Sequence, residues 1–499
     1  MISLMDKKVI KFMKGKKYLT FCVGEIKMIP YYYSLIKKLC ENYKDVRIVY
    51  YSPDDQSKSV INQDKATLLL KPLFKFHPDI VSIDLVDKKN LNNSLGYKLT
   101  KLIRLLLTIC MYSKNDKEIP DFYLKRSIFW TNSYLKILKK IPLKFIKFVF
   151  NKKITRKLLE IIFLLVQKSA RFPILEKEII RNTKTLLIGP TNLRYSPEYS
   201  LYQFACLSKI EINIPILTWD NPSTKLTFYP LPKTFLAWNI TQANHLVKYH
   251  YAKSADIKVF GSLFFERFIG KTDDELSSIN SHPNILNSIE STNILEINNK
   301  LPKKYILYLG SSKNIHSEFL ERENILKIIQ LMGSHKEMDD YKLIIKSHPA
   351  NNINLSSLIG KLGGKYFEKI SIHLGDFPIL DSELNDQKLL LKKATIILGV
   401  NTSAFIEAFA IGKVVNSLLL SNMALTQRNN PHFISLKKCK QLNIIDDFTK
   451  LDNLFLNHND QNLFDEDYLK SNLSLFEDGN DNNPSDMICR FFEKKGLDY

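Results

Sequence analysis

The chain has 499 residues, with 72 Lys and Arg against 51 Asp and Glu, for a formal net charge of +21. Hydrophobic residues at 45% and charged residues at 25% describe a globular protein and exclude a largely disordered one. The longest apolar runs, such as Leu105–Tyr112, are about eight to ten residues, short of the ~20 that a membrane-spanning helix needs, and the N-terminal MISLMDKKVIKFMKGKK lacks the apolar core and cleavage site of a secretory signal.

Taken in chain order, short β-branched runs alternate with helical periods. Tyr18–Gly24 reads as a strand, Met28–Tyr43 as a helix, and Val46–Tyr51 and Ile80–Val86 as further strands. Residues 95–172 break the alternation as a helical, very basic block. Within it Leu135, Leu138, Phe145, Phe148, Leu158, Ile161 and Leu165 recur at helical spacing among lysines that include Lys144, Lys147, Lys152 and Lys153. Such a helix either lies in a lipid interface, with its lysines on anionic headgroups, or packs on its own domain with a solvated basic face. Thr185–Gly189, Ile214–Trp219 and Ile257–Gly261 resume the strand series.

Residues 266–300 are rich in Ser, Asn and Asp and read as an interdomain connection. A second series follows, with strands at Tyr305–Gly310, Lys342–Lys346, Ile370–Leu374, Thr395–Gly399 and Lys413–Asn416, and helices at 320–333, 353–362, 385–392 and 403–411. Strands alternating with helices imply parallel βαβ units. The expected architecture is therefore two doubly wound Rossmann-like domains facing a cleft, at 1–265 and 301–440, with a basic helical insertion in the first. Residues 441–499 form an acidic tail with helical patterns near Phe464–Phe476 and Asp486–Lys495. Solvation is the default for such a tail, and its acidity would also suit a contact with the basic first domain.

Charge is distributed unevenly. Residues 1–200 hold 39 Lys and Arg against 17 Asp and Glu, while 441–499 hold 5 against 13. A one-sided basic surface points to a polyanion. No nucleic-acid-binding motif accompanies it, so the expected partner is an anionic membrane surface rather than nucleic acid. The six cysteines are scattered without a CxxC pair and read as buried thiols of a reducing compartment. The ten histidines form no HExxH, and no GxSxG or GxxxxGK[ST] occurs, so no metal site, hydrolase elbow or P-loop is expected.

The informative stretch is Lys342–Val415. His-Pro occurs at His77, His282 and His348, but only His348-Pro349 follows a clear apolar strand, in KLIIKSHPANN. In doubly wound sheets, ligands bind at the carboxyl ends of strands. Further on, TIILGVNTSAFIEAFAIGK ends a strand at Gly399 and opens a helix at Asn401, Thr402 and Ser403, whose hydroxyls and N–H groups suit an anion. Glu407, one turn inside, is placed for ribose hydroxyls. Gly310, Ser311 and Ser312 supply a third small-residue strand end. Together the three strand ends describe a nucleotide site.

SHPANN followed by NTSAFIEAFAIGK resembles the nucleotide-binding half of GT-B glycosyltransferases, over roughly residues 304–416. The similarity is to bacterial surface-polysaccharide enzymes: sialyl- and polysialyltransferases, capsule Kdo transferases and CDP-glycerol glycerophosphotransferases. ILTWDNPSTK, FLAWNITQANHLVKYH and IKVFGSLFFERF in the first half resemble a motif succession of the same group. The resemblance implies that His348, Thr402, Ser403 and Glu407 bind a nucleotide-sugar donor. It also implies that transfer needs neither a metal nor a cofactor, and that the acceptor is a lipid-linked or growing cell-surface glycan. The implied place is the cytoplasm, at the inner face of the cytoplasmic membrane. An inverting transferase needs a base on the acceptor side. Asp220, at the end of a strand, is the first candidate, with an Asx turn as its alternative reading. Glu25 is the second, otherwise a helix start. Lys225 would hold an acceptor phosphate or lie on plain surface. The chain lacks the acidic-acidic-Gly motif of sialyltransferases, which leaves base and sugar open. The competing readings are a noncatalytic GT-B-like scaffold of polysaccharide assembly and a sugar-nucleotide 2-epimerase, which would carry Asp-Ser-Gly-Gly where this chain has VNTSAF.

Overall fold

Thirteen strands among the described residues of the computed structural model form two all-parallel sheets. The structure describes residues 16–52, 68–84, 94–131, 133–269, 301–312, 318–348, 351, 369–373, 380–420, 427–457, 464–465, 467–469 and 483–495. Most of the connection at 266–300, the helix expected at 353–362, most of that expected at Phe464–Phe476, and Pro349 lie outside these residues.

The first sheet has the order β3 (Asp79–Asp84), β2 (Val46–Ser52), β1 (Tyr18–Val23), β4 (Thr183–Ile188), β5 (Glu211–Pro215), β6 (Thr234–Ala237), β7 (Ile257–Val259). The second has the order β10 (Ile370–His373), β9 (Lys342–Lys346), β8 (Tyr305–Leu309), β11 (Ile396–Gly399), β12 (Val415–Leu418), β13 (Leu442–Ile445). Every residue of β1, β8 and β11 is buried. Helices cover both faces of a parallel sheet, which is why these strands read as continuous apolar runs rather than alternating ones. In each sheet the order reverses once, between β1 and β4 and between β8 and β11.

The helices of the first half are α1 (Ile29–Asn42), α2 (Leu95–Lys114), α3 (Asp121–Thr131), α4 (Leu143–Phe150), α5 (Lys153–Ser169), α6 (Ile174–Arg181), α7 (Tyr199–Leu207), α8 (Asn221–Thr224), α9 (Ile240–His250) and α10 (Leu263–Ile269). Those of the second are α11 (Glu318–Ser334), α12 (Asp381–Lys393), α13 (Ala404–Ala410), α14 (Pro431–Leu436), α15 (Phe448–Leu456) and α16 (Pro484–Glu493). Helices α2 to α5 are the basic insertion. Ser94 starts it by accepting the Tyr97 N–H at 3.3 Å, the expected use of a serine before a helix.

Three expectations need correction. The strand read as Ile214–Trp219 is Glu211–Pro215, so Trp219 and Asp220 stand in the turn beyond it. Thr234–Ala237 is a strand that the sequence reading missed. Leu442–Ile445, assigned to the tail, pairs with β12 as the edge of the second sheet.

One apolar cluster runs unbroken from Ile188 and Trp238 through Phe264 and Phe268 to Ile406 and Phe409, so the two halves share a core. Helix α16 returns to the first half and packs on α1. Phe492 is fully buried there, the Tyr43 hydroxyl donates to the Cys489 carbonyl at 3.1 Å, and Lys38 pairs with Asp486 at 3.0 Å. No helix among the described residues is long and apolar enough to cross a membrane.

Candidate functional site

Because β8 lies between β9 and β11, the three strand ends singled out in the sequence stand side by side at one edge of the second sheet. Gly310 presses the first against the second. Its N–H donates to the Lys346 carbonyl at 2.8 Å, and a Cβ there would come within 2.8 Å of the His348 nitrogen, so only glycine fits. Ser311 is fully buried and ties the first to the third, with its Oγ 3.4 Å from the Asn401 carbonyl. Its N–H donates to Glu321 Oε1 at 2.8 Å. Asn351 donates to the Ser311 carbonyl at 3.1 Å and to Glu321. Glu321 is thus a hub that the sequence reading missed. Ser312, the next residue, is half-buried.

At the second strand end, His348 is half-buried, and burial pushes its imidazole down to about 4, with the charge of Lys225 acting in the same direction. It is therefore neutral near pH 7 and presents one N–H. At the third, Asn401 is buried and donates to Gln427 Oε1 at 2.7 Å. Thr402 Oγ1 accepts the Ala404 N–H at 3.4 Å. The expected three-residue cap is corrected here: Ser403 occupies the capping position but is exposed, in helical backbone conformation, and makes no side-chain cap bond.

Glu407 is buried and accepts a hydrogen bond from Gln387. Burial pushes its carboxyl up to about 6 against the opposing charge of Lys346. Burial likewise pushes Lys346 down to about 8, opposed by Glu407. Tyr31 of the first half feels the same carboxylate, so this pair stands where the two halves meet.

The facing wall comes from the loop after β5. Pro222 opens the short helix α8, and the Asn221 side chain reaches back to accept the Thr218 N–H at 2.8 Å, which ties the loop to the start of the helix. The Asp220 carboxylate receives the Thr218 hydroxyl at 2.7 Å, the Thr224 hydroxyl at 2.9 Å and Lys225 Nζ at 2.8 Å. Burial would raise its pKa, but Lys225, His432 and Thr218 more than offset this, and the carboxyl titrates well below its usual range. His432 of α14 closes the gap between the halves. Its Nδ1 lies 3.1 Å from Ser223 Oγ, Asn401 Nδ2 lies 3.5 Å from its Nε2, and Trp219 packs edge-on against it at 4.4 Å between ring centroids. A small, partly open pocket lies beside it, lined by Trp219, His245, Ile406, Leu436 and Tyr468.

Asp220, Lys225, His348 and Asn401 are thereby brought to one interface. Glu25 lies in the turn after β1, at the corresponding edge of the first sheet, and pairs with Lys27 at 2.5 Å. A Cβ on neighbouring Gly24 would run into the carboxylate of Glu198, a buried acid the sequence reading missed. Lys144, Lys152 and Lys153 are exposed on α4 and around the start of α5. Lys147 is half-buried and pairs with Asp121 at 2.7 Å and Asp116 at 3.3 Å. His432, Glu321 and Gln387 carried no sequence signal, because none stands in a motif, while Lys346 stands in KLIIKSHPANN but read only as the end of its strand. Among the described residues, no three His, Cys, Asp or Glu gather to hold a metal ion.

No family model matches the chain, and no curated protein does. Among solved structures, it is similar over 96% of its length to a UDP-GlcNAc 2-epimerase of Methanocaldococcus jannaschii in complex with UDP-GlcNAc and UDP, at 14% identity and a TM-score of 0.50, covering 99% of that chain. A second structure of that enzyme gives 12% identity with the same coverage and TM-score. A glycosyltransferase from Rickettsia africae is similar at 12% identity and a TM-score of 0.44, covering 96% of this chain and 98% of that one, too distant to add to the argument. Likeness at such identity is a likeness of fold: two Rossmann-like domains in the GT-B arrangement.

Proposed function

We propose that the chain is a nucleotide-sugar enzyme and, within that class, a metal-independent glycosyltransferase. It moves a sugar from a nucleotide-activated donor to a lipid-linked or growing cell-surface polysaccharide. The observation that carries this reading is the meeting of three strand ends, at Gly310–Ser311, Lys346–His348 and Asn401–Thr402, opposite Lys225 of the other half. Ligands of doubly wound sheets bind at such an order reversal.

The leaving group of the reaction is a nucleotide phosphate, and its developing charge must be met by fixed donors and cations. Neutral His348 and the Thr402 hydroxyl supply hydrogen bonds, with Lys225 and Lys346 as the nearby cations. Asp220 on its own is a weak base, being held ionised by Lys225. It becomes a base toward the acceptor only as Lys225 is drawn from it to the charge of the leaving phosphate. Glu25 and the buried Glu198 are the other carboxylates at that edge. Asp220→Asn should abolish transfer and keep nucleotide binding; full activity in that variant would remove Asp220 from the chemistry.

Thermal stabilisation by UDP-, CDP-, CMP- and GDP-linked sugars tests the class. A shift with one nucleotide selects the donor; none with any of them sinks the reading. A 2-epimerase is the second reading, favoured by the fold match to an enzyme holding UDP-GlcNAc. Incubation with UDP-GlcNAc separates the two: an epimerase forms the 2-epimer without acceptor, while a transferase releases UDP only with one. Binding with neither reaction would select a noncatalytic scaffold.

A further inference from the structure

Helix α5 has two apolar faces, and only one is covered. The inner face packs on α2, on α7 and on the loop after α8: Phe163 is fully buried edge-on against Tyr229 at 4.9 Å, and Gln167 donates to the Gln203 carbonyl of α7 at 3.0 Å. On the opposite face Ile154, Leu158, Ile161 and Leu165 recur at the spacing of one helical stripe. They are 77%, 56%, 56% and 64% exposed. Phe145 and Phe148, three residues apart on α4, add 56% and 62% exposed rings at the start of this stripe.

Burial would have been the ordinary fate of such side chains, so a contiguous bare stripe marks a surface that meets something apolar. The charges beside it say what. Lys153, Lys157 and Lys168 run along one edge of the stripe and are exposed, as are Lys144 and Lys152, the latter 4.6 Å over the Phe148 ring. Between Asp121 and Glu176 the sequence holds 13 Lys and Arg and a single carboxylate, Glu160. That carboxylate is spent on Arg156 at 2.6 Å. A protein partner offering a purely apolar face would leave these cations unmet. A sheet of anionic headgroups over hydrocarbon meets both features at once.

We infer that the outer face of α4 and α5 docks onto an anionic lipid surface, lying in the interface without crossing it. The module is bolted to the candidate site. In α2, which backs α5, Arg104 donates to the Thr191 and Leu193 carbonyls at 2.6 and 3.1 Å, Thr108 accepts the Thr227 N–H at 3.0 Å, and Tyr112 donates to the Lys225 carbonyl at 2.7 Å. A membrane under α5 therefore fixes the height and orientation of the Lys225 loop. The docking itself stands independently of the nucleotide reading.

Flotation of the full chain with phosphatidylcholine vesicles, with and without phosphatidylglycerol, tests this. The wild type should float with the anionic vesicles and remain at the bottom with the neutral ones. Ile161→Glu with Leu165→Glu should lower the floated fraction by about tenfold or more, since each side chain loses its apolar burial. Lys153→Glu with Lys157→Glu should remove the preference for phosphatidylglycerol. All these residues are exposed, so both variants should keep the wild-type melting temperature and any nucleotide-induced shift, which separates failure here from failure of the proposed function. Wild type that floats with no vesicle, or an Ile161/Leu165 variant that floats like wild type, overturns the proposal. So does a wild-type dimer that the same variant splits without any lipid binding. A lysine variant that still prefers phosphatidylglycerol overturns the anionic assignment.

Discussion

Lys346 and Glu407 stand close enough to feel each other's charge, and their titrations oppose each other. A carboxyl raised from 4.5 to about 6 favours the fold below its ordinary value and loses that contribution as pH rises through 6. A lysine lowered from 10.5 to about 8 favours the fold above its ordinary value and loses that contribution as pH falls through 8. Between about 6 and 8 both desolvation penalties are in force. Lys346→Met combined with Glu407→Gln should therefore stabilise the empty protein at pH 7 by about 1–4 kcal/mol. The gain should shrink below pH 6 and above pH 8, as read by urea denaturation across pH. The same variant should lose its nucleotide-induced thermal shift, since both charges are proposed to face the donor. Gly310→Ala makes a simpler case. Its Cβ would sit 2.8 Å from the His348 nitrogen and 3.0 Å from the Lys346 carbonyl, both backbone atoms with little room to move. A loss of about 1–3 kcal/mol is expected, with nucleotide binding weakened in step. Of these residues, Gly310, His348 and Glu407 were legible in the sequence, because each follows or closes a strand-to-helix turn of recognisable chemistry. Lys346 read only as the last residue of a strand. His432 was not legible at all, since its partner Ser223 lies 209 residues away and nothing local marks the pairing.

Among the elements, α10 does the most to hold the halves together. It leaves the first sheet and packs between α1 and α13. Its Arg267 is nearly fully buried, donates to Asp381 at 3.1 Å from Nε and 2.9 Å from Nη2, and donates to the Pro30 carbonyl at 3.2 Å. Arg267→Met should cost about 1–3 kcal/mol, less than a fully buried pair would, because Asp381 is about a third exposed. The loss should appear as a lower urea midpoint and weaker nucleotide binding, whereas Asp381→Asn, which keeps an acceptor, should lose less. Long strands between long helices were readable, since burial on both faces leaves an unbroken apolar run. The strands Thr234–Ala237 and Leu442–Ile445 were not. Thr234–Ala237 is a four-residue strand that runs straight on into Trp238, and Leu442–Ile445 alternates buried ends with a half-exposed middle and pairs along one edge only, at the head of a segment whose composition read as tail. The reverse error at Trp219 has the same root: ILTW continues the apolar run past Pro215, but the chain turns there to seat Trp219 against His432.

At the scale of the whole molecule, the +21 charge resolves into a basic first half, a near-neutral second half and a helix that crosses between them. The crossing depends on α16, whose Phe492, Ile488 and Cys489 are buried among residues of α1 such as Leu39 and Cys40. A chain ending at residue 483 should uncover that face of α1, melt at lower temperature and elute as larger species on size exclusion; an unchanged melt would refute this role. The two-sheet plan was legible from alternation alone, and the return of the tail to the first half was one of the two readings open to it; what composition could not give is its seat on α1. The seat has a consequence for how the protein is made. Tyr43 and Cys489, joined by a hydrogen bond, are 446 residues apart in the chain. At ordinary rates of synthesis, that gap is on the order of tens of seconds to minutes. Throughout that time the apolar stripe of α1 that α16 covers in the finished fold stays open, so this part of the first half is completed only after the second half has been made.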